Sequence, residues 1–301
     1  MIRASIDLGT NTCLLLIAKV EPSSMQVLKV LHDESSFVRL GQGVDKTREL
    51  HPDAIARTLA ALQKYADMVK KYNILPKQVI AVATATARDS KNGKLFFEQV
   101  TQATGFEFKV ISGEDEARFM FLGGLLPGIK PDKAAVIDIG GGSTEFKSQQ
   151  NGLSLQMGSV RFTERYLKSN PVTDEDFWAC QEACDETLQK ALLWRESISK
   201  DTQLIGVAGT VVNLASIHLG LSQFDATRLD GTWLTRGDIH RMVEDLKWRT
   251  VEERRGMSGL EPARADVILG GALILWRSME ILGFKDLQVS TRGLRYGVLF
   301  Q

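Results

Sequence analysis

The stretch AVIDIGGGSTEF, residues 135–146, decides the fold of this chain. It passes from an apolar segment, typical of a buried strand, into three consecutive glycines and then toward a second strand. Acidic side chains flank the glycines at Asp138 and Glu145. The pattern predicts two strands joined by a turn of bare backbone, with one carboxylate on either side of the turn.

A turn of this kind is suited to binding an anion. Glycines allow successive backbone N–H groups to point into one small volume, and neighbouring hydroxyl groups add further donors. The residues concerned are Gly140, Gly141, Gly142, Ser143 and Thr144. Asp138 and Glu145 would supply the one or two carboxylates with which Mg²⁺ binds alongside phosphate oxygens. The alternative is that the glycines form only a tight hairpin.

The same pattern occurs a second time, near the start of the chain. IDLGTNT at 6–12 resembles IDIGGGST at 137–144, and Asp7 takes the position of Asp138. In both segments a strand ends in Asp-x-Gly and is followed by a turn that carries hydroxyl groups. This repetition favours phosphate binding over a simple hairpin, and it indicates an internal duplication with two turns that face each other across a cleft.

The remaining pattern predicts an α/β fold in two domains, 1–124 and 125–301, with the segment from about 290 to 301 packing back on the first. In the first domain, strands are expected at Ile2–Leu8, 13–20, 26–31, 78–84 and 108–112, with helices over 51–72, 92–105 and 113–125. In the second, strands are expected at 134–140, 143–149, 152–158, 203–209 and 287–291, with helices over 163–168, 173–197, Arg236–Lys247 and 262–282 and from Val211 onward.

The composition narrows the class of protein. At 301 residues, of which 44% are hydrophobic, the chain is long enough for two cores. Lys and Arg together number 37, as do Asp and Glu, and the resulting net charge of zero argues against binding duplex nucleic acid or an anionic membrane. The chain shows neither a signal peptide nor an apolar run of membrane-spanning length, so we expect a cytoplasmic protein. Its cysteines and scattered histidines do not predict a disulfide framework or a zinc site.

Seven motifs, taken in order, resemble a known group of enzymes. IDLGTNT, IDIGGGSTEF and VAGTVVNLA (207–215) resemble the phosphate loops and second acidic element of the actin-like ATPase superfamily. Narrower matches to the exopolyphosphatase and guanosine pentaphosphate phosphohydrolase family are VRLGQGVD (38–45), ATATAR (83–88), VISGEDEARFMFLGG (110–124) and STRGLRYGVL (290–299). The resemblance covers essentially the whole chain. It implies a duplicated, ribonuclease H-like fold of two domains around a central cleft.

The resemblance also implies an activity and a role for each motif. The expected reaction is Mg²⁺-dependent, or Mn²⁺-dependent, release of the terminal phosphate from inorganic polyphosphate, guanosine pentaphosphate or both. Glu116 is the expected general base that activates water, with Asp115 as the alternative. Arg88 is expected to bind phosphate oxygens through its guanidinium, with Arg39, Asn92 and Arg295 as further candidates. The expected metal ligands are Asp138, Glu145 and Asp7. The expected phosphate-binding residues are Gly9, Thr10, Asn11, Thr12, Gly140, Gly141, Gly142, Ser143, Thr144, Gly209 and Thr210.

Some features depart from the family pattern or leave other functions open. Tyr296 stands where a glutamate is expected, and the chain ends soon after it, so we expect a short, two-domain form. An actin-like kinase is one alternative, because the glycine pair in ILGGALIL (268–275) resembles a nucleotide-binding element, although glycines also permit close helix packing. A non-catalytic sensor of polyphosphate or of guanosine pentaphosphate is another alternative. Relatives often dimerise, and a homodimer is a further expectation.

Overall fold

The structure is a computed structural model and describes residues 1–24, 26–84, 86 and 90–301. The described residues form two compact units. The first consists of Met1–Gly123 and Leu294–Gln301, and the second of Gly124–Gly293. The C-terminal residues therefore belong to the unit that contains the N-terminus.

The first unit is built on a mixed sheet. Its strands are β1 (Ile2–Leu8), β2 (Thr12–Glu21), β3 (Gln26–Phe37), β4 (Ile80–Ala83) and β5 (Phe108–Val110). Among the described residues their order is β3-β2-β1-β4-β5. β1, β2 and β3 form an antiparallel meander, whereas β4 pairs in parallel with both β1 and β5.

Helices cover the sheet of the first unit. They are α1 (Val44–Thr47), α2 (Pro52–Lys71), α3 (Gly93–Thr104) and α4 (Gly113–Gly124). One face of α2 is buried because apolar residues such as Leu62 and Val69 recur at helical spacing. α3 ends where Gly105 adopts a left-handed conformation with φ of 76°, which glycine reaches at little cost.

The second sheet repeats the first. Its strands are β6 (Ala134–Ile139), β7 (Thr144–Ser148), β8 (Gly152–Leu155), β9 (Gln203–Val207), β10 (Trp233–Thr235) and β11 (Asp286–Val289). Their order is β10-β11-β9-β6-β7-β8, so β6, β7, β8, β9 and β11 correspond to β1 through β5 in order and direction. β10 is an antiparallel addition at the edge. The predicted α/β fold with an internal duplication is confirmed.

The helices of the second unit are α5 (Ser159–Tyr166), α6 (Asp174–Leu188), α7 (Leu192–Glu196), α8 (Ala208–His218), α9 (Ala226–Leu229), α10 (Arg236–Lys247), α11 (Val251–Arg255) and α12 (Ile268–Ile281). Side-chain caps fix the start of some helices in the second unit, namely α6, α9, α10 and α11. The hydroxyl of Thr235 accepts a bond from the Asp238 N–H and the Asp238 carboxylate accepts one from the Thr235 N–H, which fixes the start of α10. In the described part of the chain, every helix is too short or too polar to cross a bilayer.

Several predicted helices begin or end elsewhere. The helix expected over 163–168 begins at Ser159, and the one expected from Val211 begins at Ala208. The long helix expected over 262–282 is a single 3₁₀ turn followed by α12, which begins at Ile268. The expected helix over 173–197 is likewise divided into α6 and α7 by a 3₁₀ turn.

A short C-terminal helix, α13 (Leu294–Gly297), completes the first unit. Tyr296 is buried against Leu16 and Val20 of β2. A tyrosine at this position therefore extends the core, in place of the charged contact that a glutamate would make. Gly297 lies so close to the Phe119 carbonyl of α4 that a side chain would not fit.

Candidate active site

The glycine turn between β6 and β7 is held on one side by the start of α5. Its carbonyl oxygens accept hydrogen bonds from three consecutive residues of that helix. These bonds run from Ser159 N–H to Gly140 O (2.9 Å), from Val160 N–H and Arg161 N–H to Gly141 O (3.0 Å each), and from Arg161 Nε–H to Gly142 O (2.7 Å). All three carbonyls of the glycine triplet therefore point toward α5.

The direction of the carbonyls fixes the direction of the amides. In a planar trans peptide, the N–H points opposite to the carbonyl oxygen of the preceding residue. The N–H groups of Gly141, Gly142 and Ser143 are consequently turned away from α5. Successive amides that point to one side form a concave site for an anion. The Gly140 N–H is used differently, since it donates to Ser143 O at 3.0 Å and closes the turn.

The two hydroxyl groups of the turn have different environments. Thr144 Oγ1 donates to Met157 O at 2.5 Å, so its proton is used to hold the turn against the segment between β8 and α5. Ser143 is buried beside the amides. Of the two residues, Ser143 therefore has the side chain better suited to donate to a phosphate.

Gly158 permits the close approach of α5 to the turn. A Cβ atom there would lie 2.5 Å from the Gly141 carbonyl carbon and 2.6 Å from that of Gly142. Its φ of −139° is open to any residue, so glycine is required by space and not by backbone conformation.

Asp138 and Glu145 lie directly opposite each other in the antiparallel pairing of β6 with β7. Residues paired in this way project from the same face of a sheet, with Cβ atoms about 5 Å apart. The Ser154 hydroxyl donates to Glu145 Oε1 at 2.7 Å and orients that carboxylate. Within the described residues, no third Asp, Glu, His or Cys completes a metal cluster here. Two carboxylates fit Mg²⁺, which takes its remaining ligands from phosphate and water.

The corresponding turn of the first unit has the same construction. Gly9 N–H donates to Thr12 O at 2.9 Å, as Gly140 N–H does to Ser143 O. The carbonyls of Thr10 and Asn11 accept bonds from the backbone of residues 38–41, so the N–H groups of Asn11 and Thr12 point the other way. Asn11 Nδ2 is buried and has no hydrogen-bond partner among the described residues. A buried donor without a partner is costly, and it suits a site that an anion occupies.

The two turns differ in their acidic residues. Asp7 is paired with Leu14 on β2, where the second unit has the pair of Asp138 with Glu145. Burial, together with the negative charge of Glu116, raises the pKa of Asp7 to about 7, against a smaller lowering by Arg295. The first unit thus brings Asp7 close to Glu116, an acid from a different element.

Glu116 and Asp115 lie side by side in the first turn of α4 but have different surroundings. Glu116 is buried, and its charge acts on Asp7. The Asp115 carboxylate accepts bonds from Arg118 at 2.8 Å and from the Ser112 hydroxyl at 3.2 Å. These bonds, the one from Arg118 first, hold the pKa of Asp115 below its ordinary value. Asp115 therefore stabilises the helix start, and Glu116 is the acid that faces inward.

Gly209 and Thr210 form the first turn of α8 beside the glycine turn. Thr210 Oγ1 donates to Ile139 O at 3.2 Å, which ties the two loops together. The preceding residue, Ala208, has a φ of 62°, which is uncommon for alanine and typical of backbone held at a functional loop. The guanidinium of Arg264 lies against Gly209 where a Cβ atom would be, and burial lowers its pKa to about 10.

Sequence reasoning missed Arg264. The only signal was an arginine just before the glycine pair, in the segment PARAD at 262–266, within what was expected to be a continuous helix. Arg88, the predicted phosphate-binding cation, lies outside the described residues. The Asn92 side chain bonds both backbone groups of Leu50 at 2.8 and 3.1 Å, which gives it a structural role in the first unit.

Two other predicted features have structural roles in the described residues. Arg295 binds the Asp33 carboxylate through two bonds, of 3.0 and 2.9 Å. Cβ atoms at Gly270 and Gly271 would collide with the side chains of Thr163 and Thr210 respectively, so the glycine pair permits α12 to pack closely against α5 and α8. Of the two interpretations of this pair, helix packing is the one that the contacts favour.

Comparison with known proteins gives a consistent family. Residues 16–301 match the model of the Ppx/GppA phosphatase family. The chain is 33% identical to Exopolyphosphatase 2 of Mycobacterium tuberculosis, with 98% of this chain and 96% of that protein covered. It is also 33% identical to the bifunctional 3-dehydroquinate synthase/phosphatase of Fusobacterium nucleatum and 29% identical to a guanosine-5'-triphosphate,3'-diphosphate pyrophosphatase of Pseudoalteromonas atlantica. These two matches cover 100% and 99% of this chain, but only 46% and 58% of the length of the respective relatives.

Solved structures agree with this assignment. An exopolyphosphatase-like protein superposes with a TM-score of 0.91 at 28% identity, covering 100% of this chain and 98% of that protein. The PPX-GPPA enzyme of Aquifex aeolicus superposes with a TM-score of 0.80 at 31% identity, covering 100% and 99%. The resemblance drawn from seven sequence motifs is confirmed.

Proposed function

The chain belongs to the Ppx/GppA phosphatase family, and on that premise we propose that it hydrolyses the terminal phosphoanhydride bond of inorganic polyphosphate or of guanosine pentaphosphate. Both substrates end in the same phosphoanhydride, so a site that recognises this end serves either one. Relatives named for each activity support the proposal.

The observation that carries the proposal is the orientation of the glycine turn. Its carbonyls are held by α5, and the amides of Gly141, Gly142 and Ser143 point together to the opposite side. Donors fixed in this way stabilise the charge on a phosphoryl group as water attacks it, because they need no reorganisation during the reaction. The similar turn of Gly9, Thr10, Asn11 and Thr12 provides a second group of phosphate-facing amides.

Glu116 is proposed as the general base. Its burial in the first turn of α4 supports this role over Asp115, whose carboxylate is occupied by Arg118 and Ser112. A carboxylate held away from bulk water can accept the proton of an attacking water molecule. The negative charge of Glu116 raises the pKa of Asp7. Asp7 is proposed to influence the protonation of Glu116 in turn.

Asp138 and Glu145 are proposed to hold Mg²⁺ or Mn²⁺, with Asp7 assisting through water. Such an ion, when bound, neutralises charge on the phosphate chain. The residues of this chain supply the two cross-strand carboxylates and the Ser154 hydroxyl that orients one of them. Gly209 and Thr210 are proposed to bind the next phosphate, with Arg264 beside them as a cation. Arg88 remains a proposed substrate-binding residue.

The test is phosphate release from polyphosphate, guanosine pentaphosphate and ATP in parallel, in water enriched in ¹⁸O. Hydrolysis by direct water attack places one labelled oxygen in each phosphate released in a single turnover. We expect labelled phosphate from polyphosphate or guanosine pentaphosphate, and the relative rates rank the two substrates.

The same experiment separates the alternatives. Phosphate transfer to an acceptor, without labelled phosphate, would contradict hydrolysis and indicate a kinase. Tight binding of either substrate without turnover at any concentration of Mg²⁺ or Mn²⁺ would indicate a sensor.

A further inference from the structure

The carbonyl of Gly142 in the glycine turn accepts a hydrogen bond from a charged group. Arg161 Nε–H donates to Gly142 O at 2.7 Å, while the backbone N–H of Arg161 donates to Gly141 O at 3.0 Å. Arg161 is half-buried in the first turn of α5. Main chain and side chain of one residue thus hold two neighbouring carbonyls, on the side opposite the amides that are proposed to bind phosphate.

A hydrogen bond to a carbonyl also acts on the other end of the same peptide group. The carbonyl of Gly142 and the N–H of Ser143 belong to one planar trans peptide and point in opposite directions. A donor at the carbonyl draws electron density from the peptide nitrogen, so the N–H becomes a stronger donor in turn. A charged donor has a larger effect than a neutral one. Arg161 therefore strengthens the amide of Ser143 from behind.

A phosphate bound at this turn lies close enough to be attracted by the charge of Arg161. Standard bond lengths place a phosphate oxygen on the Ser143 N–H about 8 Å from Arg161 Nε, across the peptide group. This separation does not exceed the Debye length at physiological ionic strength, and screening is weaker still for a partly buried group. The attraction therefore adds to the stronger hydrogen bond from the Ser143 amide.

The equivalent carbonyl of the first unit accepts bonds from neutral donors. Both turns are closed by a glycine N–H, and Asn11 takes the place of Gly142. Asn11 O accepts from the backbone N–H groups of Val38 and Arg39 at 3.0 and 2.9 Å. The guanidinium donor belongs instead to the turn beside the paired carboxylates of β6 and β7. This difference indicates that the turn of the second unit receives the reacting phosphoryl group.

We propose that Arg161 is a positioning residue for phosphoryl transfer, whose charge acts through the Gly142–Ser143 peptide to stabilise the terminal phosphoryl group as water attacks. The inference rests on the proposed hydrolysis and names a residue that sets the strength of its phosphate site. Arg161 acts through the turn and makes no contact of its own with the reacting atoms.

Two substitutions separate the charge of Arg161 from its hydrogen bond. Arg161→Gln has a neutral N–H donor at the place of Nε along the side chain, whereas Arg161→Lys keeps the charge but has a methylene group there. We expect kcat of Arg161→Gln to fall by about 10- to 100-fold and KM to change less than about threefold, because the turn keeps its geometry. Arg161→Lys should keep a clearly higher kcat than Arg161→Gln.

Arg165→Gln is the matched control, since it removes the same charge from an exposed position one turn further along α5. Its kcat should stay within about twofold of the wild type, because the charge is further from the glycine turn. An Arg161→Gln variant with the kcat of the wild type would overturn the proposal. So would an Arg161→Lys variant that loses as much activity as Arg161→Gln, since the bond and not the charge would then be what matters.

The amide resonance of Ser143 gives a readout that needs no turnover. In ¹H–¹⁵N spectra of the substrate-free protein, a less polarised N–H resonates upfield, so we expect Arg161→Gln to shift the Ser143 amide upfield and Arg161→Lys to shift it less. The remaining resonances report whether each variant is folded. A wild type that releases no phosphate would refute the proposed hydrolysis, whereas an active wild type with an unshifted Ser143 resonance in Arg161→Gln would refute the role of Arg161 alone.

Discussion

At the scale of single residues, Asp7 illustrates the cost of placing acids close together. Its carboxyl group is buried near Glu116, and both effects disfavour the ionised form. The nearby Arg295 offsets only part of this cost, since its guanidinium is bound by Asp33. The turn that follows β1 is thus built for binding at some expense of stability, as functional sites often are.

Replacement of Asp7 by Asn should stabilise the metal-free protein at neutral and alkaline pH. The folded-state pKa of Asp7, about 7, lies above its ordinary value of 3.8, so the unfolded chain loses this proton at a lower pH than the folded chain does. The contribution of Asp7 to the free energy of unfolding therefore falls as pH rises from about 4 to about 7. In chelator at pH 8, we expect Asp7→Asn to raise the free energy of unfolding by about 2–4 kcal/mol in urea titrations.

The same comparison at pH 4 provides the control. There the carboxyl group is largely protonated in the folded state, and the difference between the two proteins should largely disappear. A variant that is less stable than the wild type at pH 8, or a difference that does not change with pH, would contradict the pKa assigned to Asp7.

Glu145 is expected to determine the metal requirement. Glu145→Gln keeps the size of the side chain and an acceptor for the Ser154 hydroxyl but removes one of two opposed carboxylates. We expect the concentration of Mg²⁺ at half-maximal activity to rise at least about 10-fold. Ser154→Ala, which only frees the carboxylate to rotate, should give a smaller increase. An unchanged titration for Glu145→Gln would exclude this residue from the metal site.

Residues of the site divide into those that local sequence predicts and those that it does not. Asp138 and Glu145 are separated by a short turn between two strands, so their direct pairing follows from the spacing. The contact between Arg264 and Gly209 depends on how two distant segments pack, and no local pattern encodes it. The same holds for Arg295 and Asp33, which come from opposite ends of the chain.

At the scale of elements, the first turn of α5 positions the glycine turn. Gly158→Ala would introduce a Cβ atom at 2.5–2.6 Å from backbone carbons of the turn, so either the helix or the turn must move. We expect KM for the phosphate substrate to rise about 10-fold or more, and the free energy of unfolding to fall by about 1–3 kcal/mol. Steady-state kinetics and urea unfolding measure the two effects.

Gly237→Ala is the matched control for this change. A Cβ atom at Gly237 would make only ordinary contacts, at 3.7 Å, and alanine favours the helical conformation of α10. Its KM should equal that of the wild type. A Gly158→Ala variant with unchanged KM would show that the turn does not depend on α5.

Element boundaries were predicted well where local chemistry decides them. β1 and α10 have the expected ends, since one is defined by a turn at Gly9 and the other by the reciprocal cap of Thr235 and Asp238. The start of α5 was missed by four residues because its first turn is stabilised by the glycine carbonyls, which are distant in sequence. α12 begins later than expected because the segment with Arg264 turns toward Gly209 instead of continuing the helix.

At the scale of the whole molecule, the duplication has produced two units with different chemistry. Both retain the strand order and the turn closed by a Gly N–H. The second unit carries the carboxylate pair, whereas the first has Leu14 at the position of Glu145 and instead buries Glu116 near Asp7. The proposed metal ligands and the proposed base therefore come mainly from different copies of one ancestral pattern.

The central claim is that Glu116 activates the attacking water. Its most direct test is the steady-state rate of phosphate release by Glu116→Gln, compared with Glu114→Gln on the exposed side of the same helical turn. The account predicts that kcat of Glu116→Gln falls by about 10²- to 10⁴-fold with little change in KM, while Glu114→Gln remains close to the wild type. A Glu116→Gln variant that keeps the wild-type kcat, or an equal loss in both variants, would contradict it.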